Sequence, residues 1–275
     1  MRTEGETGVR SVQLALQVLE AVAFAGEPLG VTQIAERVGA TKSSVHRHLL
    51  TFVENGYLVQ DSATTLYSPG PMCRLLGHVA PETNIVDLAR GAMQDLRESL
   101  GHSVVLSTTT PRGPVVVMTL ASRSPIEIGV RPGSELPFRA SAQGKLFLAN
   151  STRPVQERIL ARPMRLFTPK TITDRAHIEQ ELIQIVQNGY ASAPEQMLLG
   201  VNAIAAPIFD QKDACVASLA VVGSIQHLQA NPDQETIDAV KFYASQISKK
   251  LGHGRAPSAL EAVNARTPER RRARN

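Results

Sequence analysis

The run Lys42-Ser43-Ser44-Val45-His46-Arg47 carries the chemistry needed to read duplex DNA. Small hydroxyls approach base edges closely, and an arginine can donate two hydrogen bonds to O6 and N7 of guanine. On a helix with Val45 at the centre of its buried stripe, Ser43, Arg47, Leu50 and Glu54 project within about 40° of the opposite side. Ser44 and Thr51 fall at the edge of that face, and Lys42 and His46 at its flanks, where phosphate contact is expected. Thr41 is placed to cap the helix. The expected DNA contacts are therefore Thr41, Lys42, Ser43, Ser44, His46, Arg47 and Thr51. Alone, the same residues would also suit an ordinary solvated face; what precedes and follows them decides.

Other chemistry is poorly supported. Gly144-Lys145 has no glycine five residues earlier and is followed by Leu146, so it is not a phosphate loop. Lys145 is expected to cap or pin the start of its own helix. His46 and His48 stand two apart, which on a helix points them away from each other. There is no Gly-x-Ser-x-Gly elbow, and Glu179 and Glu181 are expected on a solvated helix face. Cys73 and Cys215 form no Cys-x-x-Cys pair and read as small buried residues in a reducing cytoplasm. The expectation is a non-enzyme without cofactor or metal. No apolar run reaches about 18 residues and no basic start precedes an apolar core, so a membrane span and a secretory signal are not expected.

The recognition segment needs a frame, and the spacing of apolar residues predicts one. Ser11 to Phe24 reads as an amphipathic helix, broken by Gly26, Pro28 and Gly30; Val31–Val38 is a second helix; Lys42–Asn55 is the third, ended by Gly56. Tyr57–Val59 and Leu66–Ser68 flank a polar stretch as a β-hairpin. Three helices and a hairpin make a winged helix-turn-helix over 9–70. Its wing has no basic residue, so phosphate contact there would come from Thr64, Thr65 or backbone amides. A linker helix follows over 71–83. From 84 to 252, a helix over Ile85–Leu100 leads into strand-like runs (Val104–Leu106, Val115–Leu120, Ile126–Ile128, Ala203–Phe209, Val216–Val222). Helices at Ala142–Ala149, Val155–Ala161, Ala176–Asn188 and Pro232–Gly252 fall between and after them, an α+β pattern.

The net charge of +4 is misleading. Residues 255–275 hold six arginines against two glutamates, and the remainder balances at 23 bases and 23 acids. The tail over 253–275 is expected to be disordered. Residues 1–79 carry six bases and seven acids, too even a balance for a tightly bound monomer; two half-sites of a pseudo-palindromic operator, read by a dimer, are implied.

The chain resembles the IclR family of bacterial regulators over roughly 9–252. The resemblance rests on Ser11-Val12-Gln13, Ile34-Ala35-Glu36-Arg37-Val38-Gly39, Lys42 to Arg47 and Asn55-Gly56-Tyr57-Leu58. In the second half it rests on Gly133 to Pro137, Ala142-Gln143-Gly144-Lys145, Thr171 to Asp174, Asn188 to Ala191 and Ile204 to Asp210. It implies a GAF-like effector domain joined to the winged helix-turn-helix by a helical linker, dimers often paired into tetramers, and repression more often than activation. The expected function is effector-controlled repression, with a ligand-controlled activator of a catabolic operon and an adaptor without specific DNA target as alternatives. Where the family has an arginine early in its first helix this chain has Leu14, so that contact is either missing or moved to Arg10. Family positions that line the pocket with an acid, a cysteine and two serines correspond to Ala193, Ala203, Ala220 and Val222. Ala142 and Gln143 join them, with Ile128 from a neighbouring strand. Such a lining implies an apolar or aromatic acid held by Gln143 and backbone amides; the same residues would equally suit a half-buried strand.

Overall fold

The computed structural model describes residues 8–79, 85–125 and 127–254, and the chain divides into two compact units between residues 84 and 85. In the first, helices α1 (Arg10–Ala23), α2 (Val31–Val38) and α3 (Lys42–Glu54) precede a hairpin of β1 (Leu58–Gln60) and β2 (Tyr67–Pro69). Each boundary has a local cause. Gly39, at φ 63°, ends α2 in a left-handed cap. Thr41 Oγ1 accepts the Ser44 amide at the start of α3. Val18, Val22, Leu29, Ile34, Ala35, Val45, Leu49, Leu58 and Tyr67 meet in one core. Each buried leucine-sized side chain there contributes about 1.5–3 kcal/mol. Leu29 pairs with Tyr67 through two backbone hydrogen bonds, which fastens the α1–α2 connection to the hairpin. Only part of α1's apolar stripe reaches this core: Val9, Val12 and Leu16 remain 65%, 53% and 49% exposed.

Helix α4 (Pro71–Val79) covers the described part of the expected linker. Its start is stitched to the first unit by Met72 N to Gly56 O and Gly70 N to Tyr57 O. A Cβ at Gly70 would lie 2.3 Å from Gly56 O, so this crossing requires glycine.

In the second unit, α5 (Ile85–Leu100), β3 (Ser103–Thr109) and β4 (Pro114–Leu120) are followed by α6 (Ala142–Ala149), α7 (Arg153–Leu160) and α8 (Arg175–Asn188). Then come β5 (Ala191–Ser192), β6 (Val201–Phe209), β7 (Cys215–Ser224) and α9 (Gln234–Lys250). The strands form one antiparallel sheet in the order β4-β3-β7-β6-β5. Alternation assigns its faces. Val104, Leu106, Ile204, Ala206, Leu219 and Val221 pack with Met93 and Leu96 of α5 and Val240 and Ile247 of α9. Ala205 and Ala220 face Ala142, Leu146 and α8, while Val105 and Val222 share a neighbouring cluster with Leu136. The mixed helix-and-sheet reading of this half holds.

Some expectations need correction. Glu127 and Ile128 form no strand, and Ile126 lies outside the described residues. The open edge of β4 is taken instead by the Gly133–Leu136 segment, through Gly133 N to Val116 O, Val116 N to Ser134 O and Leu136 N to Pro114 O. Lys145 does not cap its own helix. Ser141 Oγ does that by accepting the Gly144 amide at 3.0 Å, and Lys145 Nζ reaches Glu181 of α8 at 3.0 and 3.3 Å. Glu181 is therefore in an interhelical ion pair, 21% exposed, and not on a solvated face. Both cysteines are free and partly rather than fully buried, with burial pushing the Cys215 thiol up to about 12. His253 and Gly254, placed in the tail by sequence, sit in a turn where His253 stacks on Phe209 at 5.3 Å; the rest of the tail lies outside the described residues.

Candidate DNA-reading surface and effector cavity

Helix α3 buries Val45 and Leu49 and turns its other side outward. Lys42, Ser43, His46, Arg47, Leu50, Thr51 and Glu54 are exposed, and Ser44 is half-buried. Two hydroxyls are already engaged. Thr41 serves as the cap, with its Oγ1 3.3 Å from Ser43 Oγ, and Thr51 Oγ1 donates to Arg47 O at 3.1 Å, leaving only its lone pairs to offer DNA. Arg47 is the large donor of the face.

Sequence reasoning placed Arg10 of α1 at the DNA but did not foresee Gln13 and Gln17 beside it. An open groove of about 730 Å³ runs between α1 and α3, lined by Arg10, Gln13, Gln17, Ser44, Arg47 and Thr51. Arg10, Gln13 and Gln17 stand at i, i+3 and i+7, which puts them on one face of α1. Neither Arg10 nor Arg47 has an ion-pair partner among the described residues. The two guanidiniums thus border one groove, an arrangement suited to phosphate on one side and base edges on the other. His48 lines the same groove while His46 points elsewhere on the helix.

The wing tip differs from expectation. Asp61 Oδ1 accepts the Ala63 amide (3.0 Å), the Thr64 amide (2.7 Å) and the Thr64 hydroxyl (2.9 Å). These three donors hold the Asp61 carboxyl below its ordinary value, backbone and side chain of Thr64 foremost. Thr64 and two tip amides are accordingly turned inward to a carboxylate, which corrects their assignment as phosphate donors. Thr65, at φ 58°, is exposed and is not one of these donors.

In the second unit a cavity of about 360 Å³ opens at the N-terminus of α6. Ile128, Ala142, Gln143, Ala193, Ala203 and Val222 all line it. Ala220 does not: it is fully buried one step along β7, paired with Ala205 beneath α6, whereas Val222 pairs with Ala203 at the cavity end of the strands. Ile128 reaches the wall from an extended loop, not a strand. Leu136, Met197, Leu198 and Asn202 are among the other lining residues and escaped sequence reasoning. The apolar run Met197-Leu198-Leu199, with Leu198 62% exposed at the rim, was the available signal.

The polar groups of this cavity are nearly all satisfied. Asn202 donates to Gln229 O at 2.8 Å and accepts from Ala203 N and Ser192 Oγ. Ser141 donates to Pro137 O and accepts Gly144 N. Gln143 Nε2 has no partner among the described residues although the residue is 2% exposed. An unpaired buried donor, beside the first turn of α6 where Ser141 caps only the Gly144 amide, is a place for one acceptor-bearing end of a ligand. Helix α6 is held there tightly: a Cβ on Gly144 would lie 2.1 Å from Pro137 O and 2.7 Å from Phe138 Cα.

No group of three or more metal-ligating side chains occurs among the described residues, and no helix among them is long and apolar enough to cross a membrane. Residues 11–62 match the IclR helix-turn-helix domain, and residues 77–249 match the C-terminal domain of bacterial transcriptional regulators of the IclR type. The chain is 30% identical over 257 residues to the HTH-type transcriptional regulator BhcR of Paracoccus denitrificans, covering 92% of this chain and 90% of that one. Among solved structures, an IclR transcriptional regulator from Alicyclobacillus acidocaldarius superposes with a TM-score of 0.72 at 25% identity, over 88% of this chain and 98% of the other. An IclR homologue from Microbacterium hydrocarbonoxydans, complexed with 4-hydroxybenzoate, has the same fold at a TM-score of 0.72 and 21% identity, over 88% of this chain and 99% of its own. With both units matched in order, a DNA-reading helix-turn-helix followed by an effector domain, the chain belongs to the IclR family of bacterial transcriptional regulators.

Proposed function

We propose that this regulator represses transcription by binding a pseudo-palindromic operator as a dimer or a pair of dimers, and that an apolar or aromatic acid in the α6 cavity sets its affinity for DNA. The observation that carries the ligand reading is Gln143: a donor without a partner among the described residues, in a cavity whose other polar side chains, Ser141 and Asn202, are already hydrogen-bonded and whose wall is otherwise mostly apolar. A ring-sized apolar body fits 360 Å³, and its carboxylate end meets Gln143 Nε2 and the amides that open α6. A two- or three-carbon keto acid sets its third oxygen directly beside the carboxylate and has little apolar surface to cover this wall, and an oxygen buried there unpaired costs about 1–3 kcal/mol. The 4-hydroxybenzoate complex of the Microbacterium relative is in keeping with such a ligand on this fold. Val9, Val12 and Leu16 support the dimer, since an exposed apolar stripe on one helix invites a second copy. Control then follows from linkage: a ligand that prefers one state of the protein shifts DNA affinity by that preference, and DNA shifts ligand affinity equally.

The test is a footprint on the DNA upstream of the regulator's own gene, with and without benzoate, 4-hydroxybenzoate, phenylacetate, glyoxylate and pyruvate, paired with calorimetry for each. A protected inverted repeat whose occupancy changes with an aromatic acid is expected. Tight binding of glyoxylate or pyruvate with none of the aromatic acids would reject the ligand assignment, and the absence of any sequence-specific footprint would reject the operator.

A further inference from the structure

Behind α6, on the side away from the first cavity, lies a second one of about 300 Å³ that shares no lining residue with it. Its walls are Lys145 on α6, the Glu181 face of α8, and the segment from Ala191 to Gln196. That segment alternates: Ala193 and Met197 face the first cavity, whereas Ser192, Pro194 and Gln196 face the second. Gln196 is 3% exposed and its Oε1 has no hydrogen-bond partner among the described residues. A buried acceptor left unpaired is unusual in a folded protein and calls for a donor from elsewhere. Ser192 donates to Asn202 Oδ1 at 3.2 Å, so it too offers lone pairs to the cavity. Lys145, 1% exposed, is neutralised by Glu181 at 3.0 Å.

From these groups we infer that the second cavity is a binding site for a small neutral polyol, whose hydroxyls donate to Gln196 Oε1 and Ser192 Oγ. Charge decides the class. A carboxylate entering here would meet Glu181, and an ammonium would meet Lys145; either would have to displace its like-charged neighbour from a buried ion pair. A neutral molecule rich in hydroxyls offends neither, supplies the missing donors, and can accept from remaining ammonium protons. About 300 Å³ is roughly the share of ten liquid waters, enough for three to six carbons with their hydroxyls. The site does not depend on what the first cavity binds.

The experiment titrates the full chain with glycerol, xylitol, myo-inositol and glucose, and with acetate and ethanolamine as charged probes. Calorimetry and saturation-transfer NMR are the readouts, because polyols raise melting temperatures without binding. One polyol is expected to bind once per chain. Gln196→Met should weaken it by about tenfold or more, the loss of one hydrogen bond in a buried site. Gln143→Leu, in the other cavity, should leave polyol affinity unchanged. Failure of all four polyols to bind overturns the assignment, as does binding that Gln196→Met leaves intact or that Gln143→Leu abolishes. Preferential binding of acetate or ethanolamine overturns the ligand class. Aromatic-acid binding is read separately, so loss of either assignment leaves the other standing.

Discussion

Replacing Glu181 by glutamine should damage this protein far more than removing its partner, and the two exposures say why. Lys145 is 1% exposed and Glu181 21%. In Glu181→Gln the lysine keeps its charge with no route to water. Loss of one partner from a buried pair costs about 3–5 kcal/mol, and Glu181's partial exposure places this one near 3 kcal/mol. In Lys145→Met the carboxylate can turn to solvent while methionine fills the stem's volume, so about 1 kcal/mol is expected. The unit that holds the pair spans residues 85–275. For that size about 3 kcal/mol corresponds to roughly 6–12 °C in Tm, against about 2–4 °C for Lys145→Met. Calorimetry of the full chain measures both, the relevant transition being the one that Leu49→Ala, in the other unit's core, leaves in place. There is also a pH signature. Burial lowers the Lys145 pKa from its ordinary 10.5, and the Glu181 charge and hydrogen bond pull it back up. Between the lowered folded value and 10.5 the unfolded chain holds more protons, so stability rises with pH across that window. Glu181→Gln removes the restoring charge and extends the rising limb to lower pH. A Glu181→Gln protein as stable as wild type with no such limb, or a Lys145→Met protein that is the less stable of the two, would refute the reasoning.

Further outcomes are expected elsewhere. Arg47→Ala should weaken operator binding by about 1–3 kcal/mol and relax base preference at one position per half-site, whereas Arg10→Ala should weaken all sequences alike and reduce the salt slope by about one; gel shifts over a salt series separate them. Gln143→Leu should lower affinity for an aromatic carboxylate by roughly tenfold and leave operator affinity without ligand unchanged, as read by calorimetry and footprinting. The Asp61 carboxyl is held below the ordinary 3.8, so the stability it lends the wing is present above that pH and lost as pH falls through the folded value. Asp61→Asn should abolish that acid-side decline in the first unit's Tm and lower the Tm at neutral pH.

The fold was legible where periodicity and capping agree. Thr41, Val45 and Leu49 place α3 and choose its outward face, because a helix whose cap and stripe are both local needs no distant partner to define it. That the aligned motif positions would share a wall was legible too, since six of the seven line one cavity. What escaped is long-range. Ala220 falls beneath α6 because depth along a strand depends on what packs above it. Ile128 has no strand because the β4 edge was already taken by Gly133–Leu136. Lys145 and Glu181 are 36 residues apart, with nothing in either neighbourhood to announce the pair. Thr64 was lost as a phosphate donor to a carboxylate three residues away, a competition that residue type alone does not rank.

The absent side chain at Gly144 has a consequence for how this protein can diversify. Because the helix bearing it is pressed against the backbone of Pro137 and Phe138, it cannot slide to accommodate a new guest. Preference must change by trading individual wall residues on one side or the other, with the plank between them immobile. Descendants could therefore acquire a new signal on one side of α6 without forfeiting whatever the opposite side already recognises.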